Sequence, residues 1–290
     1  MFALERILLP VDFSDRSYAA GQHAKALACR FHSELHVLHV LDLRTYGMLG
    51  LGMDESTASE FASGQRANAA RELESFLADD LRGLNVERVL LCGDPAREIV
   101  KYAHHESFGL IVLPTHGYGP FRQFLLGSVI AKVLHDADCP VWTGVHMENA
   151  PVVQSLSFHN VLCAIDLGPH SGKTLSWAWQ LTQELGSQLT IVHALRGVAD
   201  QEHEFFGGNT QHSLERYARE KIVKFQEALG IEAPISIETG DIARAVSAVA
   251  GGLKADLMVI GRGVASGVLG RLRTHSYAII RQSPCPVVSV

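Results

Sequence analysis

Residues 5–13 read ERILLPVDF, and residues 159–167 read HNVLCAIDL. Both are short apolar runs rich in Ile, Leu and Val that close on an aspartate, Asp12 in one and Asp166 in the other. The likeness continues along the chain. LHVLHVL at 35–41 is matched by LTIVHAL at 189–195, and LLCGDPAREIV at 90–100 by SIETGDIARAV at 236–246. FGLIVLPTHG at 108–117 is matched by ADLMVIGRG at 255–263, and DCPVW at 138–142 by PCPVV at 284–288. These landmarks recur in the same order, so the repeating unit is a whole domain. The reading predicts a first domain over 1–146, a linker over 147–157 marked by Pro151 and polar residues, and a second domain over 158–290.

Within each half the apolar runs are near-continuous rather than alternating, the pattern of strands buried on both faces of a parallel sheet. Longer stretches with helical spacing lie between them. Ala70, Leu73, Phe76, Leu77 and Leu81 fall on one stripe of a predicted helix over 67–82, and Leu175, Ala178, Leu181 and Leu185 do so over 174–185. Ser14 reads as the N-cap of the first helix. Asp94 precedes Pro95 at a first helical position, and Asp241 repeats that cap. Alternation of strand and helix predicts an α/β fold: two doubly wound domains with right-handed crossovers.

Composition narrows the function classes. The set AVILMFWYC makes up 47% of the 290 residues, and charged residues 19%, below the usual share of about 25%. Disordered, collagen-like and coiled-coil classes are excluded. A net charge of −6 argues against broad electrostatic binding to nucleic acid or to an anionic membrane. The 5 cysteines are scattered, with no CxxC, which fits reduced thiols in a cytoplasmic protein. The N-terminal run is interrupted by Glu5, and no apolar run approaches the roughly 20 residues that span a bilayer.

Ligands of an open parallel sheet sit beyond the C-terminal ends of its strands. Three loops qualify in the first half. Asp12, just after Pro10 and the first strand, can accept from a ribose or a base, or can simply cap the following helix. Val40, beside His39, ends the second strand, where backbone groups can pair with an adenine edge or serve only as core strand. The third loop is PTHGYGPFRQFLLGSV at 114–129. Its Gly117 and Gly119 allow close backbone approach, and Gly127 with Ser128 opens a helix whose free N–H groups attract anions. His116 sits inside this loop, as a donor to phosphate or as a turn residue.

Taken together, ILLPVDFS at 7–14, LHV at 38–40, GDP at 93–95, the spacing Gly117-x9-Gly127-Ser128 and CPVW at 139–142 resemble the universal stress protein family. The resemblance spans essentially the whole chain as two tandem copies. It implies five parallel strands per domain in the order 3-2-1-4-5. Many members bind ATP through Gly-x2-Gly-x9-Gly-(Ser/Thr), and others lack the motif and do not bind. Carried across, Asp12 meets the ribose or base, Val40 the adenine, and Gly117, Gly127, Ser128 and the Val129 backbone the phosphates of ATP, ADP or AMP, with Mg2+ as accompanying cation. Pro114 stands where the motif has its first glycine, and it lacks an N–H.

In the second half Asp166, Ala194, Gly261 and Gly263 keep the corresponding places, but Arg273 and Thr274 replace Gly127 and Ser128. That site is expected to be degenerate. Members of the family usually dimerise, often by pairing their last strands, so the resemblance implies an intramolecular pseudo-dimer of the two halves, with a homodimer of chains as a further assembly.

The remaining signals are weak. HSGKT at 170–174 lacks the first glycine of a P-loop. His36 and His39 are three apart in one strand and face opposite sides, so no metal site is expected. The segments 42–64 and 196–209 are long for βα connections, with a lid, a partner surface and a disordered loop left open as readings. No Walker lysine, carboxylate pair or nucleophile with a base at recognised spacing is present, so no catalytic residue is expected. The reading is an adenine-nucleotide-binding regulatory protein. Its alternatives are a non-binding tandem scaffold and a slow ATPase.

Overall fold

A computed structural model describes residues 4–42, 55–115, 126–144, 158–196, 209–262 and 274–290. They divide into two compact units, one within Ala3–Thr143 and the other within Ser157–Val290. The linker expected over 147–157 lies outside the described residues.

The first unit runs β1 (Arg6–Val11), α1 (Asp15–Phe31), β2 (Glu34–Leu41), α2 (Glu55–Ser75), β3 (Val86–Cys92), α3 (Pro95–His105), β4 (Leu110–Val112), α4 (Ser128–Asp136) and β5 (Val141–Thr143). Its strands lie in the order β3-β2-β1-β4-β5, and each described pairing is parallel. Register places Ile7 opposite both Leu35 and Leu110, and these three side chains are fully buried. The central strands are covered on both faces, which is why they read as unbroken apolar runs.

The second unit repeats the plan with β6 (Asn160–Ala164), α5 (Ser171–Leu185), β7 (Gln188–Arg196), α6 (Asn209–Leu229), β8 (Ile235–Gly240), α7 (Ile242–Gly252), β9 (Leu257–Ile260), α8 (Thr274–Gln282) and β10 (Val287–Ser289). The order is β8-β7-β6-β9-β10, again with parallel pairings. Cys163, inside β6, is wholly buried, and burial pushes its thiol up to about 12.

The caps follow the sequence. The Ser14 side chain accepts from the Ser17 N–H, Asp94 from the Arg97 N–H, and Asp241 from the Arg244 N–H, each three residues along and satisfying an orphan donor.

Two expectations need correction. The segment 42–64 is not one long connection, because α2 already begins at Glu55 and passes through Gly64. Its first turns, ESTASEFASG, carry no apolar stripe, so periodicity could not reveal them. The helix expected over 67–82 stops at Ser75, and a turn follows in which Leu77 takes a positive φ of 55°. Leu73, Leu77 and Leu81 are all buried, so the stripe is real although one helix does not carry it. Gly172 and Lys173 lie within α5, as ordinary helix rather than a phosphate loop. Among the described residues no helix is long and apolar enough to cross a membrane.

Candidate functional site

At the C-terminal ends of β1, β2 and β4 the first unit has a cavity of about 650 Å³. Pro10, Asp12, Val40, Pro114, Gly127, Ser128 and Val129 all line it. These residues come from four separate segments, brought together by strand order alone. His116 and Gly117, also expected there, lie outside the described residues.

Asp12 is held by a tight turn. Its Oδ1 accepts from the Ser14 N–H at 3.2 Å and from the hydroxyls of Ser14 and Ser17, each at 2.5 Å. The Asp12 N–H donates back to Ser17 Oγ at 3.1 Å. Ser14, not Asp12, is the N-cap of α1, and Asp12 braces that turn, which fixes its carboxylate at the rim. Phe13, with φ of 62°, swings its ring onto His39 at a centroid distance of 4.3 Å. His39 Nδ1 lies 2.8 Å from the Val11 carbonyl. A carbonyl can only accept, so Nδ1 carries the proton and Nε2 keeps the lone pair in the neutral ring.

The end of the cavity at the start of α4 differs in detail from its sequence reading. The Gly127 N–H donates to the Thr115 carbonyl at 3.1 Å, so this donor is already engaged. Gly127 is the N-cap of α4 and offers no side chain, so no side-chain bond caps that helix. The orphan donors at the helix start are thus those of Ser128, Val129 and Ile130, at the positive end of the helix dipole. Ser128 is exposed and adds its hydroxyl. A second helix start, Pro95 of α3, borders the same cavity. The described lining side chains include two acids, Asp12 and Asp42, and no Lys or Arg. Among the described residues, an anion here would rest on backbone donors and the Ser128 hydroxyl.

The second unit has a smaller cavity at the same place, about 260 Å³, lined by Asp166, Ala194 and Gly261. Asp166 repeats the turn, accepting on Oδ1 from the Gly168 N–H at 2.8 Å and the Ser171 hydroxyl at 3.1 Å. His193 repeats His39, with Nδ1 2.8 Å from the Ile165 carbonyl. Gly261 is needed for close approach, since a Cβ there would stand 2.8 Å from Thr174 Oγ1. Thr274 opens α8 as Ser128 opens α4, while Gly263 and Arg273 lie outside the described residues.

Among the described residues, four cationic or titratable groups here have no counterpart lining the first cavity: His170, Arg196, Arg262 and His275, with Arg196 Nη2 2.7 Å from His275 Nε2. Sequence alone does not bring Arg196 and His275 together, because Arg196 ends a strand and His275 sits inside a helix. The paired histidines were legible as LHV and VHA, but the sequence showed them only as neighbours of Val40 and Ala194.

A model of the Universal stress protein family matches residues 3–143 and again residues 157–290. A universal stress protein of Methanocaldococcus jannaschii is 31% identical over 137 residues, 47% of this chain and 79% of the relative. One from Mycobacterium bovis is 27% identical over 224 residues, covering 77% of this chain and 74% of its own. The crystal structure of a universal stress protein from Archaeoglobus fulgidus aligns over 99% of this chain and 98% of that one, at TM-score 0.65 and 25% identity. Two matched segments on two copies of one doubly wound plan place the chain in the universal stress protein family, as a member with two tandem domains.

Proposed function

We propose that the first domain binds an adenine nucleotide, ATP or its ADP and AMP relatives, and that the chain acts as a nucleotide-responsive regulatory protein of the stress response rather than as an enzyme. The observation that carries this is the cavity of about 650 Å³ whose rim gathers Asp12, Val40, Gly127, Ser128 and Val129. The roles follow from chemistry. Asp12 accepts from the ribose, the end of β2 at Val40 meets the adenine, and the first turn of α4 receives the phosphates through Ser128 and Val129 N–H groups. Each hydrogen bond to a charged group contributes roughly 1.5–3 kcal/mol. Mg2+ would balance phosphate charge beside Asp12 and Asp42. Pro114 withholds one N–H from the strand end, so phosphate contact concentrates on α4.

Protein denatured straight after purification, with its supernatant analysed for nucleotides, tests the reading. An adenine nucleotide near stoichiometry is expected. A clean supernatant, followed by no response to added nucleotide, would sink it. The second reading, a tandem interaction scaffold, draws on Pro114 and on the smaller second cavity, and it predicts that outcome. The family resemblance also implies assembly, as a pseudo-dimer of the two domains or a homodimer of chains in the cytoplasm. Sedimentation velocity of the purified chain separates monomer from dimer.

A further inference from the structure

The geometry points to a divalent transition-metal site, with zinc the best match, built from Glu34, His36 and Glu87 at the end of the first sheet opposite the nucleotide cavity. Glu34 opens β2, His36 shares its face two residues on, and register sets Glu87 of β3 directly opposite His36. One ligand atom from each lies within 4.8 Å of the others.

The histidine makes this more than an acidic cluster. His36 has a side chain only 4% exposed, and Nε2 has no hydrogen-bond partner although it is buried. It faces Glu34 Oε1 and Glu87 Oε2, each at 3.5 Å. Ligands held tetrahedrally at about 2.0–2.2 Å from zinc stand roughly 3.3–3.6 Å apart, so the two contacts already have the spacing of a tetrahedron's edges. On its other side, His36 Nδ1 is 2.8 Å from the Tyr102 hydroxyl on α3. A proton on Nδ1 donated to that oxygen leaves the Nε2 lone pair between the carboxylates, and fixing a ligand's ring through its second nitrogen is typical of metal-binding histidines. Phe108 packs edge-on against the imidazole at 4.8 Å and holds its plane.

Charge favours a cation. Arg6 is engaged with Glu34 Oε2 at 3.1 Å and with the Glu106 carboxylate at 3.4 Å, so it neutralises the far oxygen of Glu34 and leaves Oε1 and Glu87 facing the ring. Glu87 is 56% exposed, so water can complete the fourth position. The ion would staple β2 to β3 and, through Tyr102, to α3. It is remote from the strand ends that carry Asp12 and Val40, so it does not rest on nucleotide binding.

The test uses the full chain after dialysis against chelator, titrated with Zn2+ by calorimetry and with Co2+ by visible absorption. One tight equivalent is expected, with a tetrahedral Co2+ spectrum and a raised first-domain melting temperature. Glu87→Gln keeps size and sits at the surface, so it should fold normally and weaken binding tenfold or more. Tyr102→Phe, which removes the partner of Nδ1, should weaken it about 10- to 100-fold. Weak binding spread over many sites and equal in Glu87→Gln and the unaltered chain would overturn the proposal, as would no binding. In either case the cluster only braces β2 against β3 through contacts of His36 with two carboxylates.

Discussion

Replacing His23 by leucine should flatten the acid limb of the first domain's stability curve. His23 lies on α1, 5% exposed, and neither ring nitrogen has a hydrogen-bond partner. Its ring stands 6.4 Å from that of Trp142, and burial pushes its pKa down to about 4 from the ordinary 6.5. The sign follows from proton counting. Between those values the unfolded chain binds the proton and the folded domain does not, so stability falls as pH drops below about 6.5 and stops falling from this source below about 4. The whole displacement is worth about 3 kcal/mol, with about 1 lost near pH 5.5 and about 2.5 near pH 4.5.

Urea unfolding of the unaltered chain and His23→Leu, followed by circular dichroism at a series of pH values, isolates this contribution because the carboxylates titrate alike in both. Near pH 8 the variant should match or exceed the parent, since two unpaired buried nitrogens are removed at about 1–3 kcal/mol each. The gap between the two should then widen by about 2–3 kcal/mol on the way to pH 4.5. Parallel curves would refute the reasoning and mean that the folded domain protonates His23 without cost.

Further outcomes follow from local geometry. Gly93→Ala should destabilise the first domain by about 1–3 kcal/mol in urea, because Gly93 has φ of 148° and a Cβ would meet Glu98 Cγ at 2.9 Å. Gly240→Ala, with φ of 136° but no atom within 4 Å of the added Cβ, should cost less in the second domain. Asp94→Ala should remove the α3 cap and cost about 1 kcal/mol, read the same way. In the native chain a disulfide reagent should label exposed Cys29 and Cys92 quickly, and leave Cys163 and Cys285 unmodified until urea is added, since burial pushes those two thiols up to about 12 and about 11.

Much of this was legible in the residues, and the limits have physical reasons. The strands announced themselves because a sheet covered on both faces leaves ILLPV or LHVLHVL no polar alternation. The caps at Ser14, Asp94 and Asp241 were legible because a cap is a local bond spanning three residues. The start of α2 was not, since ESTASEFASG buries nothing that a period could mark. Asp12 carried two readings because a carboxylate after a strand can serve a ligand or a helix start, and in the structure it braces the turn through Ser14 and Ser17 while Ser14 caps the helix. The engagement of the Gly127 N–H by Thr115 depends on how a loop closes, which spacing does not encode. The Glu34–His36–Glu87 cluster was invisible for a different reason. His36 and Glu87 meet only through the register of β2 on β3, and two histidines on opposite faces of a strand had argued against metal. Arg196 and His275 likewise meet only once the second sheet is assembled.

Calorimetric titration of the full chain with ATP, ADP and AMP, beside Gly127→Asp, tests the central claim most directly. Aspartate is a favoured N-cap, so that variant should keep α4 folded while placing a carboxylate over the donors that a phosphate needs. The account predicts saturable binding to the unaltered chain, with about 2.7 kcal/mol of added stability at 100 times the dissociation constant, and loss of both in Gly127→Asp. No heat at millimolar nucleotide, or equal binding by the variant, would contradict it.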